Sequence, residues 1–215
     1  MKIVSRPVET EIEAKKSRFI AELCDVTSEE EAKAFLEEVR ERYKDMKHHC
    51  YALRLGLSDT VYERFSDDGE PQGTAGKPIL DVLRGEDLRN TICVVTRYFG
   101  GILLGTGGLV RAYSGAARET VKASELQELY KGTSFYIDIP YDMIGKIKHT
   151  AERSDIHIAK EEYGELCRLY FAMETGRYEG FRKAISDISL GKVEPKEVYE
   201  ALCYDRQSPK VYKKL

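Results

Sequence analysis

The stretch Arg97-Tyr98-Phe99-Gly100-Gly101-Ile102-Leu103-Leu104-Gly105-Thr106-Gly107-Gly108-Leu109-Val110-Arg111-Ala112-Tyr113 sets five glycines between two arginines. Glycine in a folded segment costs backbone entropy, so such a cluster signals tight turns, positive φ, or close approach of the backbone to another group. Just upstream, Thr91-Ile92-Cys93-Val94-Val95-Thr96 is a β-branched run that reads as a buried strand. Downstream, Leu109, Ala112, Tyr113, Ala116 and Val121 keep helical spacing to about Ala123. The glycines therefore join a strand to the N-terminus of a helix.

Working outward toward the start, Val8 to Ala14 and Ser17 to Val26 read as strands. A helix follows from Ser28, where Ser28 and Glu31 have capping-box spacing and Ala32, Phe35, Leu36, Val39 and Tyr43 share one face. His48 to Gly56 alternates as a strand, Ser58-Asp59 reads as a turn, and Val61 to Phe65 returns as the hairpin partner. Ser66 to Pro78 is too rich in Gly, Pro and Asp for regular structure and reads as a long shaped loop, with a short helix over Ile79 to Leu83 after it.

Beyond the central helix, the pattern restarts from Leu129. It gives a strand at Thr133 to Ile139, a helix from about Asp142 to Arg153, and strands at Ile156 to Tyr163 and Leu166 to Met173. A helix at Tyr178 to Leu190 and a strand at Lys196 to Tyr204 complete it. This order, βαββαβ, is the ferredoxin-like split unit. The charged stretch Ser124 to Lys131 reads as a linker, so an α+β protein of two domains, residues 1–127 and 128–215, is expected.

Composition limits the functional classes. Hydrophobic residues at 42% and charged residues at 33% describe a globular chain, and no apolar run is long enough to span a bilayer. The start, Met1-Lys2-Ile3-Val4-Ser5-Arg6, lacks the apolar core of a signal peptide, so a cytoplasmic location without membrane contact is expected. Five widely spaced cysteines suit buried free thiols better than disulfides or a zinc site, and no metal or cofactor is expected. The net charge of -3 divides into about -4 for residues 1–129 and +1 for 130–215, so a polyanionic partner would need a local basic patch.

The central segment has the elements of an anion site. A helix N-terminus presents unpaired N–H groups and partial positive charge, and glycines let an anion approach the backbone. Thr106 is the expected N-cap, leaving the amides of Gly107, Gly108 and Leu109 facing outward, with Arg97, Arg111 and Lys77 as cations nearby. Arg111, Arg118 and Lys122 share one helical face. The alternative is that the glycines only let the helix pack closely and the chain turn sharply. Nucleotide motifs fail: a Walker loop ending at Gly76-Lys77 finds Pro71 and Pro78 in the wrong places, and a dinucleotide fingerprint from Gly105 meets Val110. Asp67, Asp68 and Glu70 form an acidic counterpart, able to bind a cation or act in acid–base chemistry, but more in keeping with turn chemistry that caps amides or pairs arginines. His48 and His49 face opposite ways if they lie on a strand, and Cys50, flanked by His49 and Tyr51, is a poor candidate nucleophile. Tyr98 and Phe99 can stack on bases, although core packing is expected of at least one.

Several of these residues carry a resemblance. Asp67-Asp68-Gly69-Glu70-Pro71 with Gly73-Thr74-Ala75-Gly76-Lys77-Pro78, and Thr96 to Gly101 with Leu104 to Tyr113, resemble the signature of the YigZ/IMPACT family, as do Ser17-Arg18-Phe19-Ile20 and His48-His49-Cys50-Tyr51-Ala52. The resemblance spans about residues 1–125. It implies a first domain like the second domain of a small-subunit ribosomal protein, domain IV of elongation factor G and certain small-molecule kinases, and a second like domain V of that factor. Eukaryotic relatives restrain a translation-factor kinase through an additional N-terminal domain, so that role does not carry over. What the resemblance implies here is a non-catalytic RNA- or ribosome-binding protein, possessing an anion site at Arg97, Tyr98, Gly100, Gly101, Gly105, Thr106, Gly107, Gly108, Arg111 and Lys77 supported by Asp67, Asp68 and Glu70. A phosphometabolite-binding protein or enzyme using Asp68 or His49, and a protein-interaction module, are the competing expectations.

Overall fold

The computed structural model describes residues 1–57, 60–205 and 210–214, so the turn expected at Ser58-Asp59 lies outside the described residues. The chain divides into two compact units, Met1–Gln127 and Glu128–Leu215. The first contains β1 (Lys2–Val4), β2 (Val8–Ala14), β3 (Ser17–Asp25), α1 (Glu29–Arg42), β4 (His48–Leu55), β5 (Tyr62–Ser66), α2 (Gly76–Gly85), β6 (Thr91–Tyr98) and α3 (Thr106–Ala123), with β7 (Leu126–Glu128) at the boundary.

Five strands form one antiparallel sheet in the order β2-β3-β6-β4-β5. Strand side chains alternate between faces, and β6 is apolar on both because helices cover both. On one face Cys93 and Val95 join Phe19, Leu23, Cys50 and Ala52 beneath Ile79, Leu83, Leu109 and Tyr113 of α2 and α3. On the other, Ile92 and Val94 pack with Leu53 against Ala32, Leu36 and Val39 of α1. Helix α1 starts where its sequence indicates: the Glu31 amide donates to Ser28 Oγ at 3.1 Å. The return bond of the capping box is shifted by one residue, because the Glu31 carboxylate accepts from Thr27 N at 2.6 Å and Thr27 Oγ1 at 2.9 Å.

Three local expectations are corrected. Helix α2 begins at Gly76 rather than Ile79, so Gly76, Lys77 and Pro78 are helical. Proline is tolerated in a first turn, where its missing N–H would have no intrahelical partner. The N-cap of α3 is Gly105, not Thr106: its φ of 72° is one that residues with a Cβ rarely adopt, and Thr106 becomes the first helical residue. The stretch read as a linker, Ser124 to Lys131, contains β7, which pairs with β1, and the first residues of β8.

The second unit contains β8 (Tyr130–Ile139), α4 (Ile144–Arg153, preceded by a 3₁₀ turn at Tyr141–Met143), β9 (Ile158–Tyr163), β10 (Cys167–Glu174), α5 (Thr175–Ser189), β11 (Lys196–Tyr204) and β12 (Lys210–Lys214). Its sheet runs β12-β11-β8-β10-β9 with antiparallel neighbours. Leaving out the added edge strand β12, this is the ferredoxin-like arrangement that the βαββαβ order indicates. Phe135, Ile137, Leu169 and Phe171 line the face covered by Ile147 and Ala151 of α4 and Phe181 and Ile185 of α5. No helix among the described residues is long and apolar enough to cross a membrane.

Candidate functional site

The two helices after the acidic loop and the glycine segment end in opposite ways. At α2, the Asp67 carboxylate occupies the N-terminus: Oδ1 accepts from Ala75 N at 3.0 Å and Gly76 N at 2.8 Å, and Oδ2 from Gly73 N at 2.7 Å. A built-in anion thus satisfies amides that a helix start leaves unpaired. At α3, the first amide to find a partner is Leu109 N, which donates to Gly105 O at 2.9 Å, and no side chain caps the helix. The amides of Thr106, Gly107 and Gly108 make no bond among the described residues, and Gly105, Thr106 and Gly107 are exposed.

Arg111 belongs to this open end. One turn into α3, it is exposed, and a Cβ built on Gly107 would sit 3.6 Å from its Nη1, so the guanidinium lies back along the helix toward the free amides. It has no acidic partner among the described residues. The other basic residues of the helix differ: Arg118 donates to Ser114 Oγ at 2.9 Å, and Lys122 pairs with Glu119 at 2.8 Å.

Arg97 is placed otherwise than expected. It lies on the sheet face under α3, 7% exposed, and its Nη1 donates to Glu70 Oε1 at 2.7 Å. The same carboxylate oxygen accepts from the Tyr113 hydroxyl at 2.8 Å, and Tyr113 meets Phe19 edge-on at 5.1 Å. Arg97 also lies over the rings of Phe19 and Phe99, at 5.5 and 5.3 Å. Its charge is committed to Glu70, so Arg97 ties the acidic loop to the sheet and does not reach out to a phosphate.

Strand alternation separates the remaining members. Tyr98 pairs in register with Arg18 on the opposite face from Arg97, away from α3. Core packing is not the role of either aromatic, since Tyr98 is 52% and Phe99 49% exposed. Gly100 is structural: a Cβ there would lie 1.9 Å from Lys16 O, and its amide donates to Ser17 Oγ at 3.2 Å. Gly101, with a φ of 85°, turns the chain in open space. Lys77 is held by Asp81 and lines a groove of about 550 Å³ between α2 and α3 with Gly73, Val110, Ser114 and Arg118.

The acidic loop is an internal brace. Asp68 Oδ2 accepts from His49 N at 2.7 Å, its Oδ1 from Arg40 at 3.4 Å, and its carbonyl oxygen lies 2.9 Å from His48 Nδ1. His49 turns its ring to the other face, between Thr96 Oγ1 at 3.1 Å and Met46 O at 3.2 Å, where burial holds its imidazolium below the ordinary pKa. The Cys50 thiol donates to Asp67 O at 3.0 Å, and burial pushes its pKa up to about 12, the opposite of an activated nucleophile. Asp68 faces the backbone of His49 and not its ring, so the two do not form an acid–base pair. Among the described residues, no group of three or more His, Cys, Asp or Glu side chains is placed to hold a metal ion.

Sequence reasoning missed the apolar component of the segment. Ile102 is 43% and Leu103 81% exposed, beside the free amides in sequence. The available signal was their position between glycines, off the apolar period of α3.

Comparison with known proteins places these motifs in a family. The model of the Impact N-terminal domain matches residues 15–121, and that of a domain of unknown function (DUF1949) matches residues 137–192. The Escherichia coli (strain K12) protein described as IMPACT family member YigZ is 38% identical over 193 residues, covering 89% of this chain and 95% of the relative. IMPACT family member YvyE of Bacillus subtilis (strain 168) is 35% identical over 189 residues, covering 88% and 87%. A crystal structure described as that of a hypothetical protein is 37% identical and superposes with a TM-score of 0.59, covering 90% of this chain and 95% of the other. The chain belongs to the IMPACT family.

Proposed function

We propose that this protein is a non-catalytic, cytoplasmic binder of RNA or of a ribosomal surface, acting in translation, and that it holds phosphate at the N-terminus of α3. The observation that carries the reading is the contrast between two helix starts: α2 is filled by Asp67, whereas at α3 three amides beside Arg111, and the Arg111 guanidinium itself, have no acceptor among the described residues. In this reading the amides of Thr106, Gly107 and Gly108 donate to one phosphate and Arg111 to the same or the next. Phe99, Ile102 and Leu103 offer apolar contact alongside. Family membership supports the translational setting, through the elongation-factor and ribosomal-protein likenesses that the resemblance implies.

A second reading, a small phosphometabolite ligand, is favoured by the α2–α3 groove of about 550 Å³ with Lys77 and Arg118 in its lining. Co-sedimentation with ribosomes and with structured RNA, at about 50 and 200 mM salt, separates the two. Binding that weakens with salt and is lost in Arg111→Ala is the expected result. No sedimentation at either salt contradicts the RNA reading, and a rise in melting temperature with a phosphometabolite would then favour the second.

A further inference from the structure

The second unit carries a further surface, on the sheet face turned away from α4 and α5. Tyr136 and Tyr170 stand directly opposite each other on β8 and β10, the two central strands of the βαββαβ sheet, with ring centroids 5.6 Å apart. Cations surround the pair. The Arg168 guanidinium lies 4.1 Å from the Tyr136 ring centroid, the Lys160 ammonium 5.5 Å from that of Tyr170, and Lys196 pairs in register with Tyr136. Asp138 accepts from both Arg168, at 2.7 Å, and Lys196, at 3.0 Å, while Glu162 accepts from Lys160 at 2.6 Å and from the Tyr170 hydroxyl at 2.9 Å. The two carboxylates fix the positions of three cations, and a third, Glu165, lines the hollow beside Asp138, Glu162 and Arg168.

We infer that this face binds single-stranded nucleic acid, stacking bases on the Tyr136–Tyr170 pair and on the Arg168 guanidinium plane. A four-stranded sheet with aromatic residues on its central strands is a known solution to base stacking, because every base has a π-face and the pleat holds neighbouring rings at a fixed spacing. The contacts to the backbone fall to Lys160 and Lys196, whose side chains are 63% and 55% exposed and flank the rings on both sides, within reach of phosphates on either side of a stacked base. The Tyr170 hydroxyl is engaged by Glu162, so the ring is held in place without its polar end entering the stack. This site is independent of the α3 terminus and uses different residues.

The test is fluorescence anisotropy of the full chain with labelled oligouridine and oligothymidine of about ten nucleotides and with an RNA duplex, at about 50 mM salt. Arg111→Ala serves as background to remove the first site. Single strands of either sugar are expected to bind more tightly than the duplex, with Tyr136→Ala and Tyr170→Ala each weakening binding roughly 5- to 100-fold and Tyr170→Phe close to wild type. Tighter binding of RNA than DNA would add a contact to the 2′-hydroxyl without changing the assignment. Photo-crosslinking of a bromouracil-containing oligonucleotide to the wild-type chain keeps the test open if an alanine variant fails to fold: crosslinked peptides are expected to contain Tyr136 or Tyr170. Equal affinity for duplex and single strand, unchanged affinity in both alanine variants, no binding at all, or crosslinks confined to residues 97–111 would overturn the inference. Loss of binding in Arg111→Ala alone, with the tyrosine variants unaffected, would support the α3 site and refute this one.

Discussion

Glu70→Ala should open the first unit far more than its position in a surface loop suggests. The side chain is 4% exposed and one of its oxygens accepts from both Arg97, at 2.7 Å, and the fully buried Tyr113 hydroxyl, at 2.8 Å. Among the described residues, truncation leaves Arg97 with a single hydrogen bond, a long one of 3.5 Å to Ser17 Oγ, and strands the Tyr113 hydroxyl. Removing one partner of a buried ion pair typically costs about 3–5 kcal/mol, because the remaining charge stays buried without compensation. Global unfolding would blur this loss across two units, so a local reporter is preferable. Cys50 and Cys93 are fully buried in the first unit and Cys167 and Cys203 in the second, which supplies an internal control. Peptide-resolved thiol labelling under native conditions should show Cys50 and Cys93 reacting roughly 100- to 4000-fold faster in the variant, at about 1.4 kcal/mol per tenfold, with Cys167 and Cys203 unchanged. Replacing both partners by apolar residues, Glu70→Leu with Arg97→Met, should restore much of the protection. Less than a tenfold change in Glu70→Ala would refute the claim that this pair braces the loop against the sheet.

Other consequences are local. Asp67→Ala removes the acceptor of three amides at the start of α2 and should cost about 2 kcal/mol, with Asp67→Asn intermediate, read by thermal unfolding; an unchanged midpoint would mean that those amides find water equally well. Gly100→Ala forces a Cβ against the Lys16 carbonyl and should cost about 3 kcal/mol, whereas Gly101→Ala, in open space at a φ of 85°, should cost about 1–2 kcal/mol; reversal of that order would contradict the packing described. Hydrogen bonds from Arg168 and Lys196 hold the Asp138 carboxyl below its ordinary pKa. Its contribution to stability is therefore present above the unfolded pKa of about 3.9 and is lost as pH falls through the lower folded value. Asp138→Asn should flatten the loss of second-unit stability below about pH 4, measured by acid titration of circular dichroism; an unaltered profile would contradict the linkage.

Much of this architecture is written locally in the sequence. Period-two runs such as Val8–Ala14 and period-3.6 runs such as that from Leu109 mark elements whose burial repeats along the chain. The first turn of α2 escaped because its cap is not local: Asp67 lies nine residues before Gly76, and Gly-Lys-Pro otherwise reads as loop. The three-residue strands β1 and β7 are too short to show a period, and their pairing joins opposite ends of the first unit. At the site, the glycine bridge from β6 to α3 was legible from strand, glycine and helix signals in succession. The burial of Arg97 was not, since it depends on Glu70, 27 residues earlier, folding over the sheet. The face on which Tyr98 stands follows from strand alternation once β6 is known to run to Tyr98 and not to stop at Thr96.

The central claim is that the open end of α3 holds phosphate. Backbone amide NMR of the isotope-labelled chain, titrated with a short single-stranded RNA and separately with inorganic phosphate, tests it at the atoms concerned. The amides of Thr106, Gly107 and Gly108 should shift together with both probes, with the RNA response reduced at higher salt and the shifts abolished in Arg111→Glu. Amides at 106–108 that stay fixed while RNA saturates the protein would contradict the account.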